Sequence, residues 1–181
     1  MTMKTALVVI DVQQALLYPP AGPSLDGAER LLERVGALLA AARAQSLPVV
    51  FVRHDGGQGD DLEAGTPGWE LHAALGRRPD EPIVDKRHSD SFRDTDLNEL
   101  LRRRGIERVI LCGAQSDFCV DTTTRRAASE GYKVVLAADA HGTFDNGVID
   151  AATIVRHENR TLRSFARVAD SATLLAEGLQ G

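Results

Sequence analysis

Cysteine is scarce in this chain, with two among 181 residues, Cys112 and Cys119. Seven positions apart, they make neither a disulfide framework nor a Cys-x-x-Cys redox pair. No apolar stretch approaches the roughly 18 residues that cross a bilayer, so a soluble protein with no membrane partner is expected. Met1-Thr2-Met3-Lys4-Thr5 leads straight into a β-branched run with no apolar leader before it, and a cytoplasmic location is expected. Basic residues do not dominate. There are 21 lysines and arginines against 26 acids, a net charge of -5, which argues against a nucleic-acid partner. The clusters Arg102-Arg103-Arg104 and Arg125-Arg126 read as solvated helix faces. No Gly-x-Gly-x-x-Gly, Walker loop or Gly-x-Ser-x-Gly elbow is present, so nucleotide binding and serine hydrolysis lack residues to support them. The five histidines form no His-x-x-x-His pair and no cysteine cluster stands in for one; no catalytic metal and no cofactor are expected.

What is present is an alternation of strand-length apolar runs with helical patterns. Hydrophobic residues make up 43% and charged residues 26%, close to globular averages, and the length suits a single domain spanning 1–181. Ala6 to Ile10, Pro48 to Val52 and Val109 to Leu111 are continuous apolar runs, the pattern of strands buried on both faces. Ile83 to Asp85, Lys133 to Ala137 and Ala166 to Ala169 complete six strands. Ala28 to Gln45 carries Leu31, Leu32, Val35, Leu38, Leu39 and Ala42 at helical spacing. Further helices are expected from Asp96 to Arg104, from Cys119 to Glu130, from about Gly147 to Glu158, and after Ser171 as N-cap. The pattern predicts an α/β fold, three-layer α/β/α around a parallel sheet. In such sheets ligands bind beyond the carboxyl ends of the strands. The glycine- and acid-rich segment Asp55 to Gly68 is expected to lie over that edge, as a lid or as a plain surface loop.

Cys119 is the candidate nucleophile, because it follows an apolar strand and a polar turn and so falls at a helix start. Unpaired N–H groups there favour thiolate and hold an oxyanion. Cys112 lies inside its apolar run and reads as packing. Asp11 follows the first strand and Lys86 ends the third, so both groups fall on the same sheet edge as Cys119. The types complement one another. Asp11 offers a base, Lys86 keeps that carboxylate charged and positioned, and Cys119 attacks, with acyl transfer through a thioester as the outcome. His54 and His141 follow the second and fifth strands, and each is either a substrate contact or a loop brace.

Val8-Val9-Ile10-Asp11-Val12-Gln13, Asp85-Lys86 with Ser91-Phe92, and Gly113 to Thr123 together resemble the isochorismatase-like cysteine hydrolases. The resemblance implies a Rossmann-like sheet in the order 3-2-1-4-5-6 and a triad of Asp11, Lys86 and Cys119. It also implies a cis peptide between Ala114 and Gln115, with the N–H groups of Gln115 and Cys119 as oxyanion hole, and a homo-oligomer, either dimer or tetramer. Gln13 joins His54 and His141 as a candidate substrate contact. Val52-Arg53-His54-Asp55-Gly56-Gly57 stands where nicotinamidases carry an Asp-x-His metal motif, which disfavours that activity. Retention of the cysteine favours amide over vinyl-ether chemistry. Arg53 to Gly57, Gly65 to Gly68 and His157 to Leu162 look more like the streptothricin-hydrolase side of the family. The expectation is metal-independent cleavage of a C–N bond in a small amide, carbamoyl or lactam substrate. The alternatives are vinyl-ether (C–O) hydrolysis on the same scaffold, in which Cys119 is dispensable, and a non-catalytic redox thiol.

Overall fold

The computed structural model describes residues 3–180. One parallel sheet is built from β1 (Thr5–Ile10), β2 (Val49–His54), β3 (Ile83–Lys86), β4 (Arg108–Ala114), β5 (Lys133–Gly142) and β6 (Arg167–Ala169). The strand order is β3-β2-β1-β4-β5-β6, as expected. Every residue of β1 is buried because the strand is central and covered on both faces. Its alternate side chains divide between two cores. Ala6, Val8 and Ile10 pack with Val50, Leu97, Leu101 and Leu111, whereas Leu7 and Val9 pack with Leu38, Phe51 and Ile110. Helix α2 (Ala28–Ala44) presents Leu31, Val35, Leu38, Leu39 and Ala42 to the second core. Each such fully buried leucine contributes about 1.5–3 kcal/mol of apolar burial. Helices α3 (Leu97–Arg103) and α4 (Asp121–Ser129) close the first core. A short α1 (Gln14–Leu17), then α5 (Ala151–Thr161) and α6 (Ser171–Glu177), complete the main helices. Among the described residues no helix is long and apolar enough to cross a membrane.

Gly113 controls how closely β4 approaches β1 at the carboxyl edge. Its φ is +124°, and a Cβ there would collide with the Ile10 carbonyl oxygen. A glycine therefore lets the end of β1, which leads into Asp11, lie against the turn that leads to Cys119.

Several local expectations are corrected. The chain does not enter an ordinary helix at Cys119; Ser116–Val120 form a single π-helical turn, and α4 begins at Asp121. The Gln115 carbonyl accepts the Val120 N–H, five residues on, at 3.0 Å. Such a turn has no apolar period of its own and leaves no mark in the sequence. Ser171 is not the N-cap of α6. Asp170 accepts the Thr173 N–H in that role, while the Ser171 hydroxyl donates to Asp139 at 2.8 Å. The helix expected from Gly147 starts at Ala151, capped by Asp150. β5 runs on past Ala137 to Gly142, because its register against β4 shifts between Leu111 and Gly113 and His141 comes to pair with Gly113.

Candidate active site

Asp11, Lys86 and Cys119 converge at the carboxyl edge of the sheet. Asp11 leaves β1 with φ +50°, a left-handed conformation that a short polar residue tolerates better than a bulky one. Its N–H remains tied to the Val52 carbonyl at 3.0 Å, so the carboxylate turns into the edge while the backbone stays with the sheet. The Lys86 ammonium lies 2.7 Å from Asp11 Oδ2 and 3.1 Å from Cys119 Sγ. Asp11 is fully buried, Lys86 is 2% exposed and Cys119 is 9% exposed. The other carboxylate oxygen, Asp11 Oδ1, has no hydrogen-bond partner. It is buried, and its carboxylate lies beside the sulfur.

The electrostatics differ from the expectation of a thiolate. Burial first, and the Asp11 carboxylate second, push the Cys119 thiol up to about 12, against the opposing pull of Lys86. The resting sulfur is therefore a thiol. A helix start offers too little to reverse desolvation beside a carboxylate. Burial also works against the Lys86 charge, but the Asp11 carboxylate beside it holds the ammonium above the usual lysine value.

His54 ends β2 in register with Lys86, and its Nδ1 lies 3.4 Å from the ammonium. Burial and then the lysine charge keep this imidazole below its ordinary value, so the ring is neutral and accepts at Nδ1 at pH 7. One ligand atom each from Asp11, His54 and Cys119 fall within 4.8 Å of one another, a grouping that linear spacing does not reveal. The residues do not fit a resident metal ion. The Lys86 ammonium sits within 3.4 Å of all three groups and already supplies the positive charge they would draw.

The Ala114–Gln115 peptide is cis, as the resemblance implied. Gln115 and Cys119 line a cavity of about 420 Å³ together with Asp11 and His54. Its outer walls come from Leu16, Phe118 and Phe144 and from Asp60, Asp61 and Leu62 of the Asp55–Gly68 segment. That segment is braced from within. The Asp55 carboxylate accepts from the N–H groups of Gly57 and Ala64 and pairs with Arg87 at 2.9 Å. Behind it the Arg53 guanidinium stacks 3.3 Å over the Trp69 ring and pairs with Asp85 at 2.8 Å.

Two sequence candidates are not at the cavity. Gln13 is fully buried, and its amide donates to the carbonyls of His54 and Trp69 and accepts the His54 N–H, all within 2.9 Å. These bonds leave it a brace between β2 and the loop. His141 lies inside the extended β5, where Nδ1 meets Ser116 Oγ at 2.8 Å and Nε2 meets Asn159 Oδ1 at 3.1 Å. Of its two readings, the structure places it as a brace, tying the π turn to α5. Cys112 is fully buried within β4. Sequence reasoning misses the wall residues Asp60, Asp61, Phe118 and Phe144, since only the glycine- and acid-rich loop around the first two gives any signal.

Comparison with known proteins agrees with this fold. Residues 5–173 match the isochorismatase domain family. A streptothricin hydrolase from Streptomyces noursei is 41% identical over 140 residues, covering 77% of this chain and 50% of the relative. The chain thus spans about half the length of that curated relative. The crystal structure of an isochorismatase from Pseudomonas putida superposes with a TM-score of 0.86 at 34% identity, covering 94% of this chain and 89% of the other. A cysteine hydrolase from Pseudomonas syringae gives 0.85 at 29% identity, with 96% and 91% covered. With its sheet order and its domain match over residues 5–173, the chain belongs to the isochorismatase family.

Proposed function

We propose that the protein is a cysteine hydrolase that cleaves a C–N bond of a small amide, carbamoyl or lactam substrate through a thioester. The observation that carries this reading is the buried contact of Cys119 with Lys86, while Lys86 in turn holds Asp11 at 2.7 Å. A thiol that titrates near 12 cannot wait as a thiolate at neutral pH, so its proton must leave as the sulfur attacks. Asp11 Oδ1, without a partner, takes that proton. Sulfur bonds to the carbonyl carbon and the oxygen becomes an oxyanion, which the N–H groups of Gln115 and Cys119 stabilise. Collapse of this intermediate breaks the C–N bond, and the amine departs with the proton that Asp11 held. Water then attacks the thioester, Asp11 removes its proton, and the acid leaves as the thiol is restored. Lys86 positions Asp11 through their 2.7 Å contact and meets the developing charge on sulfur.

Cys119→Ala tests the mechanism in an ammonia-release screen over small amides, carbamates and lactams. The expected outcome is turnover of at least one substrate class by the wild type and loss of at least 10³-fold in the folded variant. Retained ammonia release by Cys119→Ala would refute attack by the thiol, whereas no amide turnover by the wild type, with a vinyl ether cleaved equally by wild type and Cys119→Ala, would support C–O chemistry run by Asp11. A redox role for the thiol has less support, because sulfenate formation follows thiolate character and exposure and this sulfur has little of either.

A further inference from the structure

The walls of the catalytic cavity carry charge of one sign. Among its lining residues there is no lysine or arginine, whereas Asp60 and Asp61 both face it from the braced loop. At the reacting centre the Asp11 and Lys86 charges oppose each other at 2.7 Å, Cys119 is a thiol, and the His54 ring is neutral. Asp60 and Asp61 are therefore the charged side chains of the wall that no cation on that wall balances. Among the described residues neither carboxylate has an ion-pair partner; Asp60 Oδ1 accepts only the Leu62 N–H, at 2.8 Å. By contrast, the nearby Asp55 is already neutralised by Arg87. The influence of Asp60 reaches inward as far as the His54 ring, where it opposes the effect of Lys86. The buried, unpartnered Asp11 Oδ1 lines the same cavity and marks it as a ligand site independently of the two outer acids.

From this we infer that the enzyme selects substrates bearing a positively charged group, such as an amine or guanidine, placed away from the scissile carbonyl and docked against Asp60 and Asp61. The inference rests on the C–N hydrolase reading for the reacting half of the substrate, but the charge preference belongs to the cavity itself. It separates this chain from the reaction that gives its family its name. Isochorismate is a dicarboxylate, and its charges would meet two carboxylates with no free cation on the wall to receive them. An amine on the substrate also leaves the mouth in contact with water, which suits an acidic rim on an exposed loop. The apolar surfaces of Leu16, Phe118 and Phe144 would hold the carbon skeleton between the two polar ends.

The test uses two assays. In the first, Cys119 is labelled with methanethiosulfonates carrying a 2-aminoethyl or a 2-sulfonatoethyl group. Each rate is divided by that for free mercaptoethanol, and the labelled peptide is identified by mass spectrometry. Cys112 is fully buried and serves as the internal negative control. Two solvent-facing charges correspond to a normalised preference of about tenfold for the cationic reagent at low ionic strength. Screening in 0.5 M salt should bring this preference close to unity. Asp60→Asn combined with Asp61→Asn should cut it several-fold, while the amide oxygen introduced at position 60 keeps an acceptor for the Leu62 N–H. A ratio at or below one in the wild type, or an unchanged ratio in the double variant, overturns the inference. The second assay compares ammonia release from β-alaninamide, propionamide and succinamate. Cationic preference in labelling with no amide hydrolysed would refute the hydrolase reading and leave the charge selection standing. Amide hydrolysis with no preference for β-alaninamide would do the reverse.

Discussion

Replacing Lys86 with Met should damage stability and catalysis together, by amounts that the geometry sets. The methionine nearly preserves the volume of the lysine stem, so the packing loss is small, while the charge that faces Asp11 at 2.7 Å disappears. Both side chains of the pair are fully buried, so solvent cannot replace the missing partner. Removing one member of such a pair costs about 3–5 kcal/mol. For a domain of this size, at roughly 2–4 °C per kcal/mol, the melting temperature should fall by roughly 6–20 °C near pH 8. Calorimetry on the wild type and the variant measures it. Adding Asp11→Asn to Lys86→Met removes the orphaned charge, and the double variant should regain much of the loss. Catalysis should not return with it. Without the ammonium, the sulfur loses its donor at 3.1 Å and Asp11 its charge partner, and turnover should drop at least 10³-fold, about 4 kcal/mol in the barrier. A Lys86→Met protein as stable as the wild type at pH 8, or one retaining a tenth of its activity, would refute the assigned role.

The thiol offers a second check. A Cys119 that titrates near 12 should react with iodoacetamide at a rate that keeps climbing from pH 8 to pH 10, and a plateau below pH 9 would show a stabilised thiolate instead. Because the folded value lies above that of free cysteine, its contribution to stability is present below about pH 8.5 and is lost as the pH rises toward 12. Gln13→Ala separates a brace from a substrate contact. It strands the His54 N–H and the carbonyls of His54 and Trp69, at about 1–3 kcal/mol for each group left unpaired, so the urea midpoint should fall clearly. A raised KM with an unchanged midpoint would return Gln13 to the substrate.

The sheet and the meeting of Asp11, Lys86 and Cys119 at its edge could be read from the chain because each leaves a local mark. A strand covered on both faces must be apolar at every position, so Ala6 to Ile10 and Val109 to Leu111 appear as unbroken runs. A polar residue closing such a run, as Asp11 does, can only sit at the sheet edge. Lys86 closes a run in the same way and Cys119 follows one across a polar turn, while the order of the strands is implied only by the family resemblance. The remainder depends on contacts between segments distant in sequence. Linear spacing does not show that His54 faces Lys86 32 positions away, or that Asp55 folds its loop so that Asp60 and Asp61 meet the cavity. The register shift that draws His141 into β5 and the π turn under Cys119 have no periodic signal, because each consists of a single local irregularity held by its neighbours. The protonation state of the nucleophile lies furthest from the sequence. Residue type and position at a turn argue for a thiolate, but desolvation is a property of the surrounding packing, and together with Asp11 it keeps Cys119 a thiol.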